Sequence, residues 1–121
     1  MPRAQDLIAQ SYRRIIAEVA PLTHLKTVIR LELRGRGDVQ IFRVRTPGPD
    51  VTKEEPDDAK LDISIPRSDF NELAENGGIE DWRDAIETGV VRISGDRDIE
   101  MLVVNVVERH LSRGQHKRSR R

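Results

Sequence analysis

The sequence contains no cysteine among its 121 residues, which excludes disulfide bonds, thiolate metal sites and cysteine nucleophiles. Aromatic side chains are almost as scarce, with one tryptophan, one tyrosine and two phenylalanines, so any core is mainly aliphatic. No apolar run approaches the roughly 20 residues that a transmembrane helix requires. The first residues also lack the apolar segment of a signal peptide. These absences are compatible with the cytoplasm, which is the location we predict.

The chain has no net charge, yet its charges are unevenly distributed. Lysine plus arginine number 21, as do aspartate plus glutamate, but no acidic residue follows Glu108. We therefore predict a single domain over residues 1–112 and a basic, disordered tail over residues 113–121. Such a tail either only aids solubility or binds a polyanion, meaning nucleic acid or an anionic membrane. The candidate residues for that contact are Arg113, Lys117, Arg118, Arg120 and Arg121.

The first half of the chain has one helical pattern followed by two alternating ones. Apolar residues at helical spacing predict an amphipathic helix over residues 4–20. Alternation predicts a hairpin of two strands over residues 27–34 and 39–45. The second strand carries apolar residues on both faces, which is typical of a central strand, although a bulge gives the same pattern. Residues 46–59 contain three prolines and an acidic cluster, which predict a mobile surface loop.

The second half reads as strand, helix, helix, strand and helix. A strand ends at Pro66, and Ser68 is the expected N-cap of the helix that follows. Gly77 is expected to end that helix in the left-handed conformation. A short helix around Trp82 leads to a second strand, and then to a long apolar-striped helix capped by Asp96 or Asp98. This order suggests a sheet with its helices on one face and a cavity between the two layers.

This second half resembles the sterol carrier protein 2 domain family from about Asp62 to Leu111. The matching pieces are Ile63-Ser-Ile-Pro-Arg-Ser-Asp-Phe70, the helix from Trp82 to Ile86, and Gly89-Val-Val-Arg-Ile-Ser-Gly95-Asp. The resemblance implies an α/β (α+β) fold, with a mostly antiparallel sheet of four to five strands and helices on one face. It also implies a hydrophobic tunnel for a sterol, a fatty acid or an acyl-CoA, and hence a lipid-binding or carrier module.

Apolar side chains of the second half are the candidates for lining such a cavity, since ligand pockets are mostly apolar. The same side chains are equally able to fill a closed core at native packing density, and the pattern alone does not decide between the two. The candidate residues are Phe70, Leu73, Trp82, Ile86, Val91, Ile93, Leu102 and Val106.

No set of residues in the sequence points to catalysis, and we predict no enzyme activity, metal site or cofactor. His24, His110 and His116 are too dispersed for the spacing that metal sites use. Two other functions stay open beside lipid binding. One is polyanion binding through the tail. The other is a scaffold without a tunnel, which forms a homodimer or docks onto an enzyme through the Arg30, Glu32 and Arg34 face of the hairpin.

Overall fold

The computed structural model describes residues 3 to 119, with side chains described as far as Arg113. Helices and strands follow the predicted order, with one additional short strand after the hairpin. The elements are α1 (Ala4–Glu18), a 3₁₀ turn (Ala20–His24), β1 (Val28–Arg34), β2 (Val39–Arg45), β3 (Asp50–Thr52), β4 (Leu61–Pro66), α2 (Arg67–Asn76), α3 (Ile79–Glu87), β5 (Arg92–Gly95) and α4 (Arg97–Ser119).

The five strands form one sheet in the order β3-β2-β1-β4-β5. Only the β1–β4 pair is parallel, and the other three pairs are antiparallel. The predicted α/β fold with a mostly antiparallel sheet is therefore confirmed. Strand β2 pairs with β1 in an unbroken register and with β3 on its other side. This arrangement agrees with the central-strand interpretation of its two-sided apolar pattern, and no bulge is needed to explain it.

The sheet has one apolar face, which packs under the helices. Ile29, Leu31 and Leu33 alternate along β1 and are all buried, while the polar residues between them point to the opposite face. Phe42 stands opposite Leu31 in the register of β2 and is only 1% exposed. Full burial of such a side chain contributes about 1.5–3 kcal/mol, so this face supplies much of the core.

The opposite face of the sheet is charged, and the acidic loop crosses it between β3 and β4. Arg30 donates from Nε to Glu55 Oε2 at 2.6 Å. Arg43 forms a two-pronged contact with Asp58, at 3.1 Å from Nε to Oδ1 and 2.7 Å from Nη2 to Oδ2. The predicted loop therefore contains a strand, β3, and its acidic cluster pairs with arginines of the sheet. Sequence alternation missed β3 because three residues are too few to show a period.

Replacing Asp58 with asparagine is expected to remove an acid-sensitive component of stability. The hydrogen bond from Arg43, offset in part by desolvation, lowers the pKa of Asp58 below its usual value. A depressed carboxyl pKa stabilises the fold above the unfolded-state pKa of about 3.9, and this contribution disappears as the pH falls through the folded-state pKa. Urea unfolding should thus show a wild-type advantage at neutral pH that vanishes in strong acid.

The neighbouring exposed Asp57 provides the control for this prediction. An Asp57→Asn variant changes the net charge by the same amount without removing the Arg43 contact, so its unfolding midpoint should follow that of the wild type more closely. If the wild type were more stable than Asp58→Asn by the same amount at every pH, the Arg43–Asp58 contact would not be the source of the acid-sensitive stability.

Two predicted helix-end signals are wrong. Helix α2 begins at Arg67, directly after Pro66, so Ser68 lies inside the first turn and does not cap the helix. Gly77 has φ −86° and is extended, not left-handed. Its amide donates to Leu73 O at 2.9 Å. The α4 signal is correct, because Asp96 Oδ1 accepts from the amides of Asp98 and Ile99 at 3.0 and 3.3 Å.

Helix α4 continues to Ser119, past the predicted domain boundary at residue 112. Over the first part of this helix, Ile99 packs against the main core, whereas Val106 and Leu111 pack against a second small cluster around Val19 and Leu22. Between residues 3 and 119, no helix combines the length and apolar content needed to cross a membrane.

Candidate ligand cavity

An apolar cavity of about 290 Å³ lies between the sheet and the helices. Its floor is the apolar face of four strands, β1, β2, β4 and β5, because alternate residues of each strand point toward the helices. The strand residues that form this floor are Ile29, Leu31, Val44, Leu61, Ile63 and Ile93.

Helices α1, α2, α3 and α4 contribute most of the remaining lining. Ile8 and Ile15 come from α1, and Val103 and Val107 lie one helical turn apart on α4. Phe70 of α2 and Trp82 of α3 meet edge to face, with ring centroids 6.3 Å apart and an interplanar angle of 67°. This aromatic pair fixes α3 relative to α2, and both rings border the cavity.

Five of the eight candidate lining residues border this cavity: Phe70, Trp82, Ile86, Val91 and Ile93. The structure does not bring the other three to it. The side chain of Leu73 borders a separate small cavity beside Arg14, and Leu102 is 52% exposed on the outer side of α4. Val106 packs against the small cluster that contains Val19 and Leu22.

The α4 lining differs from the two lining candidates predicted on this helix, Leu102 and Val106. Glu100, Val103, Val104, Val107 and Glu108 border the cavity, a set with the i, i+3, i+4, i+7, i+8 spacing of one helix face. Val103 and Val107 belong to the apolar stripe that the sequence shows on α4, but they were not among the predicted lining residues. The two glutamates on this face are charged, so a search for apolar residues could not identify them as lining residues.

Several lining residues in the first half of the chain were not predicted. Ile8, Tyr12 and Ile15 of α1 border the cavity together with Leu22 and Leu25 of the following segment. The i, i+4 and i+7 spacing of the three α1 residues was visible in the sequence as an apolar helix face. It was assigned only to packing, because the resemblance was specific for the second half.

The cavity opens between α3 and α4. Among the described residues that border it, the exposed ones are Ile86, Glu87, Val104 and Glu108, and all four belong to these two helices. Ile86 and Val104 are 36% and 42% exposed, so apolar side chains flank the opening. Carboxylates stand beside them.

Tyr12 borders the apolar cavity, and its phenolic hydroxyl lies near Thr46. Its Oη is buried and has no hydrogen-bond partner in the described part of the chain. The nearby Thr46 hydroxyl is already engaged, since it donates to Leu25 O at 2.7 Å and accepts from the Thr27 amide at 3.0 Å. Burial raises the pKa of the Tyr12 phenol, an effect that Thr46 partly offsets. The hydroxyl therefore keeps its proton at neutral pH and can donate.

Arg83 is the cationic residue among the described lining residues. Its guanidinium lies 3.2 Å from Asp84 Oδ1 and 3.9 Å from both Glu87 Oε1 and Glu108 Oε2. Burial disfavours its charged form, but the hydrogen bond to Asp84 and the surrounding carboxylates raise its pKa overall. Its Nε is buried without a hydrogen-bond partner among the described residues, and Glu87 Oε1 lies 3.9 Å from it.

The other predicted contact surfaces are placed as follows. Arg30 and Glu32 of the hairpin make contacts within the chain, with Glu55 and Ser64 respectively, and docking through this face stays a prediction. Arg113 is exposed at the end of the described side chains. Lys117 and Arg118 lie in helix α4, but only their backbone is described. Arg120 and Arg121 lie outside the described residues.

No three histidine, aspartate or glutamate side chains come together as a potential metal site in the part of the chain that the structure describes. The charged groups near the cavity are instead organised as ion pairs around Arg83. The arrangement suits the binding of an apolar molecule.

The chain is similar in structure to sterol carrier protein 2 domains. Sterol carrier protein 2 like 2 from Aedes aegypti matches with a TM-score of 0.57 and 17% identity, over 83% of this chain and 95% of that one. A palmitated form of the Aedes protein gives a TM-score of 0.58, 17% identity, and coverage of 83% and 93%. Sterol carrier protein domain 2 of Helicoverpa armigera matches with a TM-score of 0.60 and 13% identity, over 90% of this chain and 92% of that one.

No family model matches the sequence, and no curated protein matches it by sequence. The sequence identities of these structural matches are low, so the similarity shows the fold alone. The order of strands and helices and the high coverage of both chains carry that conclusion. The chain therefore has a sterol carrier protein 2-like fold, as the resemblance of its second half predicted.

Proposed function

We propose that the protein is a non-catalytic carrier that holds the apolar part of a lipid in the cavity between its sheet and helices. The single observation that supports this proposal is the cavity itself. A chain in which 35% of the residues are charged leaves a space of about 290 Å³ lined mostly by aliphatic and aromatic side chains. Empty apolar cavities lower stability, so a ligand that fills this one would offset a cost of the free protein.

The size of the cavity favours a single-chain lipid. Its volume of about 290 Å³ lies at the lower end of ligand pockets, which span roughly 300–1,000 Å³. Each methylene transferred from water to the cavity contributes about 0.8 kcal/mol, so a medium-length chain supplies enough free energy for binding without any reaction. A sterol would require α3 and α4 to move apart, or part of the ligand to protrude through the opening.

The similar structures support the same class of ligand. One of them was solved as a palmitated protein, so this fold is compatible with an acyl chain. The ligand that this chain would bind depends on its own cavity residues and not on the similarity.

Enlarging a side chain on the cavity floor is expected to weaken lipid binding. An Ile63→Phe variant would place its ring in the cavity, because Ile63 points toward the helices and is only partly buried. We expect the affinity for a fluorescent medium-chain fatty alcohol to fall about fourfold, since the larger ring takes up about the space of one methylene, which contributes about 0.8 kcal/mol. The chain has a single tryptophan, Trp82, which borders the cavity, so its fluorescence provides an independent binding signal.

Ile41→Phe is the matched control, because it makes the same change on the opposite face of the sheet. It should leave the affinity unchanged. Equal binding by the wild type and both variants would place the lipid elsewhere, and absence of saturable binding to the wild type would overturn the carrier proposal.

The scaffold and polyanion functions stay predictions, as does the cytoplasmic location. A scaffold would be expected to self-associate or bind an enzyme without needing the cavity. Polyanion binding would depend on residues 113–121 and would weaken steeply with salt.

A further inference from the structure

We infer that the cavity selects an uncharged lipid with a hydroxyl or carbonyl oxygen, in preference to an ionised fatty acid or an acyl-CoA. This inference rests on the proposed function and names the ligand class of the same cavity. It combines two observations. One is the excess of carboxylates at the opening, and the other is the pair of unpartnered hydrogen-bonding groups on the lining.

The charges at the opening disfavour an anion. Three carboxylates, those of Glu87, Glu100 and Glu108, border the cavity together with the single guanidinium of Arg83. That guanidinium is already neutralised by carboxylates within 4 Å, including Asp84. An anionic head group in the opening would therefore meet net negative charge at short range, where like charges repel most strongly. The several negative charges of an acyl-CoA would make this repulsion larger.

The interior offers an anion no alternative position. The remaining lining is apolar apart from Ser11 and Tyr12, and Ser11 already donates to Leu7 O at 2.7 Å. A carboxylate at Tyr12 would be buried with one neutral donor and no counter-ion, an arrangement with a high desolvation cost. An ionised fatty acid is thus disfavoured with its head group at either position.

Uncharged oxygens fit the two unpartnered groups. The Tyr12 hydroxyl both donates and accepts, and Arg83 Nε donates only; neither buried atom has a hydrogen-bond partner among the described residues. A small side-chain rotation that turns either group toward the cavity would let a ligand hydroxyl or carbonyl oxygen satisfy it without adding charge. The cost of leaving such groups unsatisfied in the free protein becomes a contribution to binding when the ligand supplies the missing partner.

The test compares dodecanol with dodecanoate near neutral pH, where the acid is ionised, with Trp82 fluorescence as the readout. The two ligands share their chain length and differ in the charge of the head group. We expect dodecanol to bind at least about tenfold more tightly, as repulsion by nearby uncompensated charge implies. The difference should shrink as the ionic strength rises. Equal or tighter binding of dodecanoate would overturn this inference and leave the carrier proposal standing. Failure of both ligands to bind would overturn the carrier proposal itself.

Two sets of variants locate the effect. Tyr12→Phe should lower the affinity for dodecanol about fivefold, the effect of one net hydrogen bond, and leave the affinity for dodecane unchanged. The unfolding midpoint should change little, because no group among the described residues lies in normal hydrogen-bond geometry to the hydroxyl. An unchanged affinity for dodecanol would remove Tyr12 from the site.

The double variant Glu87→Gln/Glu108→Gln should raise the affinity for dodecanoate about tenfold or more, with little effect on dodecanol. Glu72→Gln/Glu75→Gln makes the same change in net charge on α2 at exposed positions that do not border this cavity. If this control raises dodecanoate affinity equally, the effect comes from net charge and the inference that the opening selects against anions is wrong.

Discussion

Replacing Gly95 with alanine is expected to lower the free energy of unfolding by about 3 kcal/mol or more. Gly95 has φ +124°, a region that residues with a side chain rarely adopt. A Cβ there would collide with the carbonyl oxygen of Lys60 and lie 2.9 Å from Leu61 Cα. Both are backbone atoms of the strand that β5 pairs with, so no rotamer change relieves the collision.

The damage should extend to the cavity. The same Lys60 carbonyl accepts from the Asp96 amide at 2.7 Å, and Asp96 caps the first turn of α4. Moving Gly95 away from β4 thus displaces the start of the helix that forms one side of the opening. Leu61, which stands opposite Gly95 in the sheet register and borders the cavity, would be disturbed as well. Lipid binding by a folded Gly95→Ala variant should be weakened.

Gly37→Ala provides the matched control. Gly37 also has positive φ, +76°, but no atom lies within 4 Å of a Cβ built there. Its cost is therefore the backbone penalty alone, about 1–2 kcal/mol. Urea unfolding followed by circular dichroism separates the two variants. Equal losses of stability at Gly37 and Gly95 would show that the close approach of β5 to β4 has no energetic weight.

The paired substitution Arg14→Met and Glu18→Gln is expected to lower the free energy of unfolding by about 3 kcal/mol, because both side chains satisfy the ends of neighbouring helices. Arg14 donates to Ala74 O and, at 3.3 Å, to Gly77 O at the end of α2. Glu18 Oε2 accepts from the Ile79 amide at 2.8 Å at the start of α3. Hydrogen bonds to charged groups contribute roughly 1.5–3 kcal/mol each.

Arg13→Met on the same helix is the control, since Arg13 is exposed and the substitution is the same as at Arg14. It should change the free energy of unfolding by less than about 0.5 kcal/mol. The two residues of the pair are one helical turn apart, so the single variants need not add up to the double. A double variant as stable as the Arg13 control would contradict the role assigned to these contacts.

Contacts of this kind explain why the α2–α3 connection was predicted incorrectly. Gly77 has the residue type of a helix C-terminal cap, and local reasoning placed it there. In the structure Arg14 and Glu18, about sixty positions earlier in the chain, supply the partners. Because these tertiary contacts satisfy the helix ends, a local capping residue is not needed there. A contact between residues so far apart in the chain cannot be predicted from a local sequence pattern.

The lining of the candidate cavity could be predicted from the sequence only in part. Phe70, Trp82 and Ile86 follow from helical spacing, and the alternation of β5 places Ile93 on the same side. Arg83 carries no such signal, and the apolar spacing of Tyr12 does not reveal that its hydroxyl lacks a partner among the described residues. The selection proposed for uncharged lipids could therefore not have been inferred from sequence periodicity.

The parallel pairing of β1 with β4 bears on how the chain folds. Ile29 lies beside Leu61, so the middle of the sheet closes only after β2, β3 and the acidic crossing are in place, whereas β1 and β2 form a local hairpin. Pairings between distant segments are slow to form because the loop entropy is lost first. We therefore expect the hairpin to form early and β4 to add late, bringing α2 to α4 with it. Because those helices complete the cavity, the lipid site should be among the last parts of the molecule to form.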